Sequence, residues 1–296
     1  MHPWNQPILD SLARRAERLP HALLLYGPRG IGKLALAERA AQLFLCEGTG
    51  KRPCDACNAC RWFLAGNHPD FRRIEPEALW LEPPDKPSIV VKVEQVRELA
   101  EFLYIRSHRG RLRVALVHPA EEMNENAANA LLKGLEEPPA GAVFILVSHR
   151  PAQLLPTIRS RCVSVPVPLP PPPAALEWLG RQAIDQPERW LTYAGGAPLR
   201  ALEDAARGPV NLIPVGEREA LEPLADALQK IALDRALIAF GLPPKYQAAS
   251  GNVSGQQARA WLAFARKMGE ERLLCRHPLN PRLFSAAMLA AMPHLT

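Results

Sequence analysis

No stretch of this sequence approaches the ~18 apolar residues that a membrane-spanning helix requires. The opening residues, MHPWNQPILDSLARRAERL, carry no apolar core of the kind a secretory signal needs. Together these two lacks predict a cytoplasmic protein. Aromatic residues are scarce, at 6% of the chain, and no basic stripe is interleaved with them. That argues against a free-standing binder of single-stranded nucleic acid, which stacks bases on such side chains. No internal repeat is present. Charge is only mildly one-sided: a net +6 fits a neighbour of nucleic acid but also arises without a specific reason. What the chain does have is 296 residues, nearly half of them apolar, enough for a large core and two or three domains. It also has 31 prolines, clustered at 166–173 and around 83–87.

Short apolar runs alternate with helical patterns through the first half. ALLLY (22–26), RVALV (113–117) and VFILV (143–147) read as buried parallel strands. KLALAERAAQLFL (33–45), KVEQVRELAEFLY (92–104) and MNENAANALLKGLEE (123–137) read as helices, the last stopped by Pro138 and Pro139. This order predicts a parallel α/β sheet covered on both faces. The character changes at VPVPLPPPPAA (165–175), an extended and semi-rigid connection. Beyond it only helices are expected, over 175–183, 197–206, 217–241, 256–274 and 281–292, with 245–255 as an inter-helix loop.

Four of the six cysteines fall in one window, Cys46, Cys54, Cys57 and Cys60, spaced C-x7-C-x2-C-x2-C. In a reducing compartment such clustering points to metal rather than disulfides. Four thiolates suit a closed, tetrahedral, structural zinc site with no open position for catalysis. An iron–sulfur cluster is the rival, although ferredoxin-type runs continue downstream to a fourth Cys followed by Pro; unliganded thiols are the third reading. Cys275 reads as an ordinary semi-buried thiol.

GPRGIGK (27–33) joins the first strand to the helix that follows, with Gly27, Gly30, Gly32 and Lys33 at the spacing of a phosphate-binding loop. The next residue should offer a hydroxyl to the magnesium ion of a bound nucleotide, but it is Leu34. The strand RVALV should end on acidic residues that hold the same ion and polarise water. Here His118 and Pro119 stand instead, and imidazole is a poor ligand for hard magnesium. Both losses together argue against ATP hydrolysis by this chain. The loop either retains weak nucleotide or phosphate binding, or persists only as a tight turn.

Taken together, the strand with GPRGIGK, the four-cysteine insertion, NHPDFRRIEP (67–76), NALLKGLEEPP (129–139), FILVSHRPAQLLPTIRSRC (144–162) and NPRLF (280–284) resemble the AAA+ clamp-loader family of bacterial DNA polymerase III. The similarity runs over essentially the whole chain. Leu34, His118 and Pro119 make it similar to the family's subunits with a degraded ATP site, and less so to the tau/gamma motor, which is the alternative. The resemblance implies an AAA+ α/β core over 1–166 carrying a zinc module at 46–60, a small helical lid over 167–207, and an all-α collar over 208–296. The collar would join the chain to delta and tau/gamma subunits in a five-membered ring. The implied role is in DNA replication: helping to open the sliding clamp and close it around primed DNA. Ser160, Arg161 and Cys162 match the family's Ser-Arg-Cys triplet, whose arginine reaches the ATP site of the adjacent subunit. Ser148 stands where a strand-end polar residue senses the γ-phosphate, and here it is expected to cap the strand. Arg200 lies near the family's lid arginine but is displaced by one residue. A basic turn formed by Arg106, His108, Arg109, Arg111 and Arg113 either faces DNA phosphates or is a solvated loop.

Overall fold

The computed structural model describes residues 1–77, 90–105, 112–249, 251, 253–275, 277 and 279–293. The chain divides into two compact units, Met1–Pro171 and Pro172–Thr296, with the boundary inside the proline run.

The first unit is an α/β sandwich. In chain order it contains α1 (Gln6–Arg14), β1 (Ala22–Tyr26), α2 (Lys33–Leu45), α3 (Asn58–Leu64), β2 (Phe71–Ile74), α4 (Val93–Tyr104), β3 (Arg113–Val117), α5 (Glu125–Glu136), β4 (Ala142–Ser148), α6 (Pro156–Arg161) and β5 (Val163–Pro166). The five strands form one sheet in the order β2-β3-β4-β1-β5, every pair parallel. The three inner strands β1, β3 and β4 are the apolar runs visible in the sequence, and they are buried almost throughout. One face packs Leu24, Ala115, Val117, Phe144 and Leu146 against Val96 and Leu99 of α4, Leu131 of α5 and Ile158 of α6. Parallel strands buried on both faces are what helical crossovers produce. Asn124 caps α5 by accepting from the Ala127 N–H at 2.8 Å. The register places Tyr26 beside Ser148 and Leu146 beside Val117. Gly27, His118 and His149 therefore follow directly at the carboxyl edge of the sheet, where open α/β sheets carry their sites.

The second unit is helical. α7 (Pro172–Gly180), α8 (Pro187–Tyr193) and α9 (Pro198–Arg207) close on a small cluster of Ala175, Leu179, Leu191, Ala194 and Ala201. α10 (Leu221–Ala239), α11 (Ala258–Leu274) and α12 (Pro281–Ala290) close on a separate one that includes Leu224, Leu228, Trp261, Phe264, Met268 and Met288. The loop after α10 is tethered: Asp234 accepts from the backbone N–H groups of Tyr246 and Ala248 at 2.9 and 2.6 Å. Among the described residues no helix is long and apolar enough to cross a membrane.

Candidate functional site

Gly27 leaves β1 so close to the next segment that a Cβ there would lie 2.2 Å from the Val167 carbonyl oxygen. Gly32 has φ +82, a left-handed value, and a Cβ there would lie 2.4 Å from the His2 ring. The loop thus adopts the strand-to-helix turn that a phosphate cradle needs. Its cation, however, points inward. Lys33 is 2% exposed, and its Nζ donates to the Gly27 carbonyl at 2.7 Å and to the Pro28 carbonyl. Burial lowers the Lys33 pKa to about 8; Glu121 opposes the shift and Arg29 adds to it. The N-terminal segment closes over the same loop. Trp4 Nε1 donates to the Ile31 carbonyl at 2.9 Å, and Asn5 Nδ2 donates to the Ile31 and Gly32 carbonyls at 3.1 and 3.2 Å. These contacts span 26 or 27 residues, so no local spacing in the sequence announces them.

Across the sheet edge the metal-holding positions carry no oxygen ligand of the expected kind. Leu34 is half-buried at the start of α2. His118 follows β3, its ring edge-on to His149 with centroids 5.4 Å apart and its Nδ1 3.9 Å from Glu75 Oε2. Burial, then the charges of Lys33, Arg73 and Arg29, push His118 down to about 4. Burial and the same neighbourhood push His149 down to about 2. Both imidazoles are therefore neutral at pH 7. The Glu121 side chain is buried, but its Oε1 accepts the His149 backbone N–H at 2.9 Å. Ser148 is buried as well, and its Oγ accepts the Arg150 N–H at 3.2 Å, the contact of a strand cap.

The four clustered cysteines come together between α2 and α3. Their Sγ atoms all lie within 4.8 Å of one another, with Cys54 and Cys60 3.9 Å apart. Thiolates about 2.3 Å from a single tetrahedral ion sit at such separations, whereas a four-iron cluster holds them farther apart. Backbone N–H groups of Gly48, Cys57 and Cys60 point at the sulfurs of Cys46, Cys54 and Cys57 at 3.3–3.4 Å. The Ala56 and Cys57 N–H groups lower Cys54 to about 6, while burial and then Cys57 raise Cys60 to about 12. Ionised together, four thiolates need a cation to balance them, and a cluster of this size is compatible with one metal ion. The tip of the module is fastened to α2: Asp55 accepts from both Arg39 nitrogens, NH2 at 2.7 Å, and from Gln42 Nε2 at 2.9 Å.

Ser160 and Arg161 end α6, and Cys162 leads into β5. The Ser160 hydroxyl donates to the Thr157 carbonyl at 3.0 Å. Arg161 remains on the surface, with its side chain 34% exposed; Nη2 pairs with Glu136 Oε1 at 2.7 Å, and Nη1 donates to the Thr157 carbonyl at 3.0 Å and to Ser160 Oγ at 3.4 Å. The Cys162 thiol is pushed up to about 11 by burial and is inert packing beneath the sheet. Two other basic residues are engaged elsewhere. Arg200, on α9, pairs with Asp226, which also binds Lys230 and Arg272, each at 2.8 Å. These three cations overcome the effect of burial and hold Asp226 below the usual carboxylate range. Arg113, read from the sequence as part of a basic turn, is a core residue. It is 4% exposed, with its guanidinium 4.7 Å from the Phe102 ring and Nε 3.5 Å from Asp70. It opens a fully buried strand, and Asp70 compensates its charge, so it cannot reach DNA from there. Arg106, His108, Arg109 and Arg111 lie outside the described residues.

A family model described as DNA polymerase III, delta subunit, matches residues 5–170. A DNA polymerase III subunit delta' of Pseudomonas aeruginosa is 47% identical over 206 residues, covering 68% of this chain and 60% of the relative. The Escherichia coli delta' subunit is 34% identical over 233 residues, covering 77% and 65%. A tau subunit of Salmonella typhimurium is 35% identical over 162 residues, but only 24% of that relative is covered. The chain thus spans 60–65% of the length of these two delta' relatives.

Proposed function

This chain belongs to the delta-prime family of DNA polymerase III subunits, and on that premise we propose that it is a clamp-loader subunit that hydrolyses no ATP itself. Its chemical contribution is Arg161, offered to the ATP site of a neighbouring subunit. The contrast between two cations carries this reading: Lys33 is folded onto its own loop, while Arg161 stands half-exposed at the end of α6. A guanidinium against a γ-phosphate neutralises charge that develops as the phosphoryl group transfers, and it makes hydrolysis depend on subunit contact.

The proposed partners are delta and tau/gamma subunits in a five-membered ring, the sliding clamp and primed DNA, all in the cytoplasm. The chain divides in this reading into an AAA+ core (1–166), a lid (167–207) and a collar (208–296). The separate apolar clusters of α7–α9 and α10–α12 support the second boundary. Cys46, Cys54, Cys57 and Cys60 would hold a structural zinc ion that fastens the inserted loop to α2. Elemental analysis is expected to find one zinc per chain; a folded, metal-free protein would remove the ion from this account.

In a complex reconstituted with its partner subunits, Arg161→Ala should leave assembly intact and lower DNA-stimulated ATP hydrolysis. An unchanged rate refutes the role of Arg161. The motor-type alternative is separated by phosphate release from the isolated chain, which should be nil.

A further inference from the structure

We propose that Glu136 is the positioning residue for Arg161, biasing its guanidinium toward the orientation that meets the neighbouring phosphate. This rests on the reading of Arg161 given above. Two elements grip the side chain from different directions. Nη1 meets the Thr157 carbonyl of its own helix at 3.0 Å, and Nη2 meets Oε1 of Glu136, the last residue of α5, at 2.7 Å. A long arginine side chain anchored only by its own short helix would still sweep a wide arc. A second anchor on another helix narrows that arc before any ligand arrives, and a guanidinium held near its working geometry contributes more to rate.

The placement of Glu136 is unfavourable for α5 itself. A carboxylate in a last turn faces the negative end of the helix dipole, so the residue does not serve the helix it ends. Pro138 and Pro139 stop the helix immediately afterwards, which fixes where that carboxylate stands. Glu136 also does not lock the arginine away. Its side chain is 49% exposed, and ion pairs this wet are weak. A γ-phosphate gathering charge in a dry interface outcompetes it, and the guanidinium keeps N–H groups that neither anchor uses.

The test uses the reconstituted complex with Arg161→Ala, Glu136→Gln and the double variant. Glu136→Gln keeps the shape but removes the charge, and at a half-exposed site it should not disturb folding. The expected result is a fall in kcat of about fivefold with KM for ATP unchanged, and no further effect of Glu136→Gln once Arg161 is alanine. A rate equal to or above that of the unmodified complex overturns the positioning role. So does an equal loss in both backgrounds, which a merely structural residue would produce. If Arg161→Ala itself changes nothing, the reading of Arg161 fails. If Arg161→Ala is slow and Glu136→Gln is not, only the present inference fails.

Discussion

The loop after β1 and the end of α6 each present a cation suited to phosphate, and they differ in where its charge is balanced. At the loop, Lys33 is satisfied by carbonyls of its own turn, and Trp4 and Asn5 bond to the carbonyls beside it. At α6, Arg161 is held by a wet carboxylate, one carbonyl and the Ser160 hydroxyl, and its side chain stays partly exposed. A phosphate-binding fold therefore does not establish a phosphate-processing site. The glycines set the path of the chain, and the direction of the cation decides what it can touch.

The largest effect expected from this contrast is on turnover. Arginine fingers contribute roughly 10³-fold or more to hydrolysis, so if Arg161 acts as proposed, Arg161→Ala should slow the adjoining ATP site by about that factor. Sites served by other subunits would keep their rate. Single-turnover hydrolysis in the assembled complex resolves the two populations. Finding one uniform, unslowed population would erase the distinction between the two regions.

The next effect is acid sensitivity, which should belong to the loop region. His118 titrates near 4 in the folded chain against an ordinary value of 6.5. Between these values the unfolded chain binds a proton that the folded chain refuses, so stability is complete above about pH 6.5 and falls as pH drops toward 4. The linkage is worth at most about 3 kcal/mol, and His149 acts in the same direction. Urea unfolding followed at pH 7 and pH 5 measures it. A first-unit transition indifferent to this pH change would show that the imidazoles are not buried as described, whereas Arg161→Ala should reproduce the unmodified profile.

Legibility in the sequence followed the range of the interaction. β1, β3 and β4 could be read because inner parallel strands are continuous apolar runs. β2 (FRRI) and β5 (VSVP) could not, since they are edge strands with exposed side chains and no such run. The glycines and the cysteine cluster declare themselves by spacing, whereas the Ser-Arg-Cys triplet is marked only by the family resemblance. The partners of Lys33, Arg113 and Arg161 do not. Arg113 reads as exposed among other basic residues, facing DNA phosphates or solvent, because its compensating Asp70 comes from a distant segment. Glu136 lay inside a recognisable motif, yet nothing local said which residue it would meet. Spacing exposes which groups are present, and tertiary pairing decides which remain available.

The smallest effect is the one expected at the residue that most resembles a catalytic lysine. Lys33→Met removes a buried ammonium and leaves the Gly27 and Pro28 carbonyls without that donor. Each lost charge-assisted hydrogen bond costs about 1.5–3 kcal/mol, but burial of the lysine already penalised its charge, so the changes partly cancel. On the proposed reading this loop takes no part in the chemistry, so turnover of the assembled complex should stay within about twofold. The change should still leave a local trace. Lys33 is the largest of the charges holding His118 down, so its removal should let the His118 imidazole titrate at higher pH, and NMR of the ring protons reads that shift directly. A slowed complex would mean that the loop takes part in the reaction after all. An unmoved His118 would mean that the ammonium and the imidazole do not share one buried site.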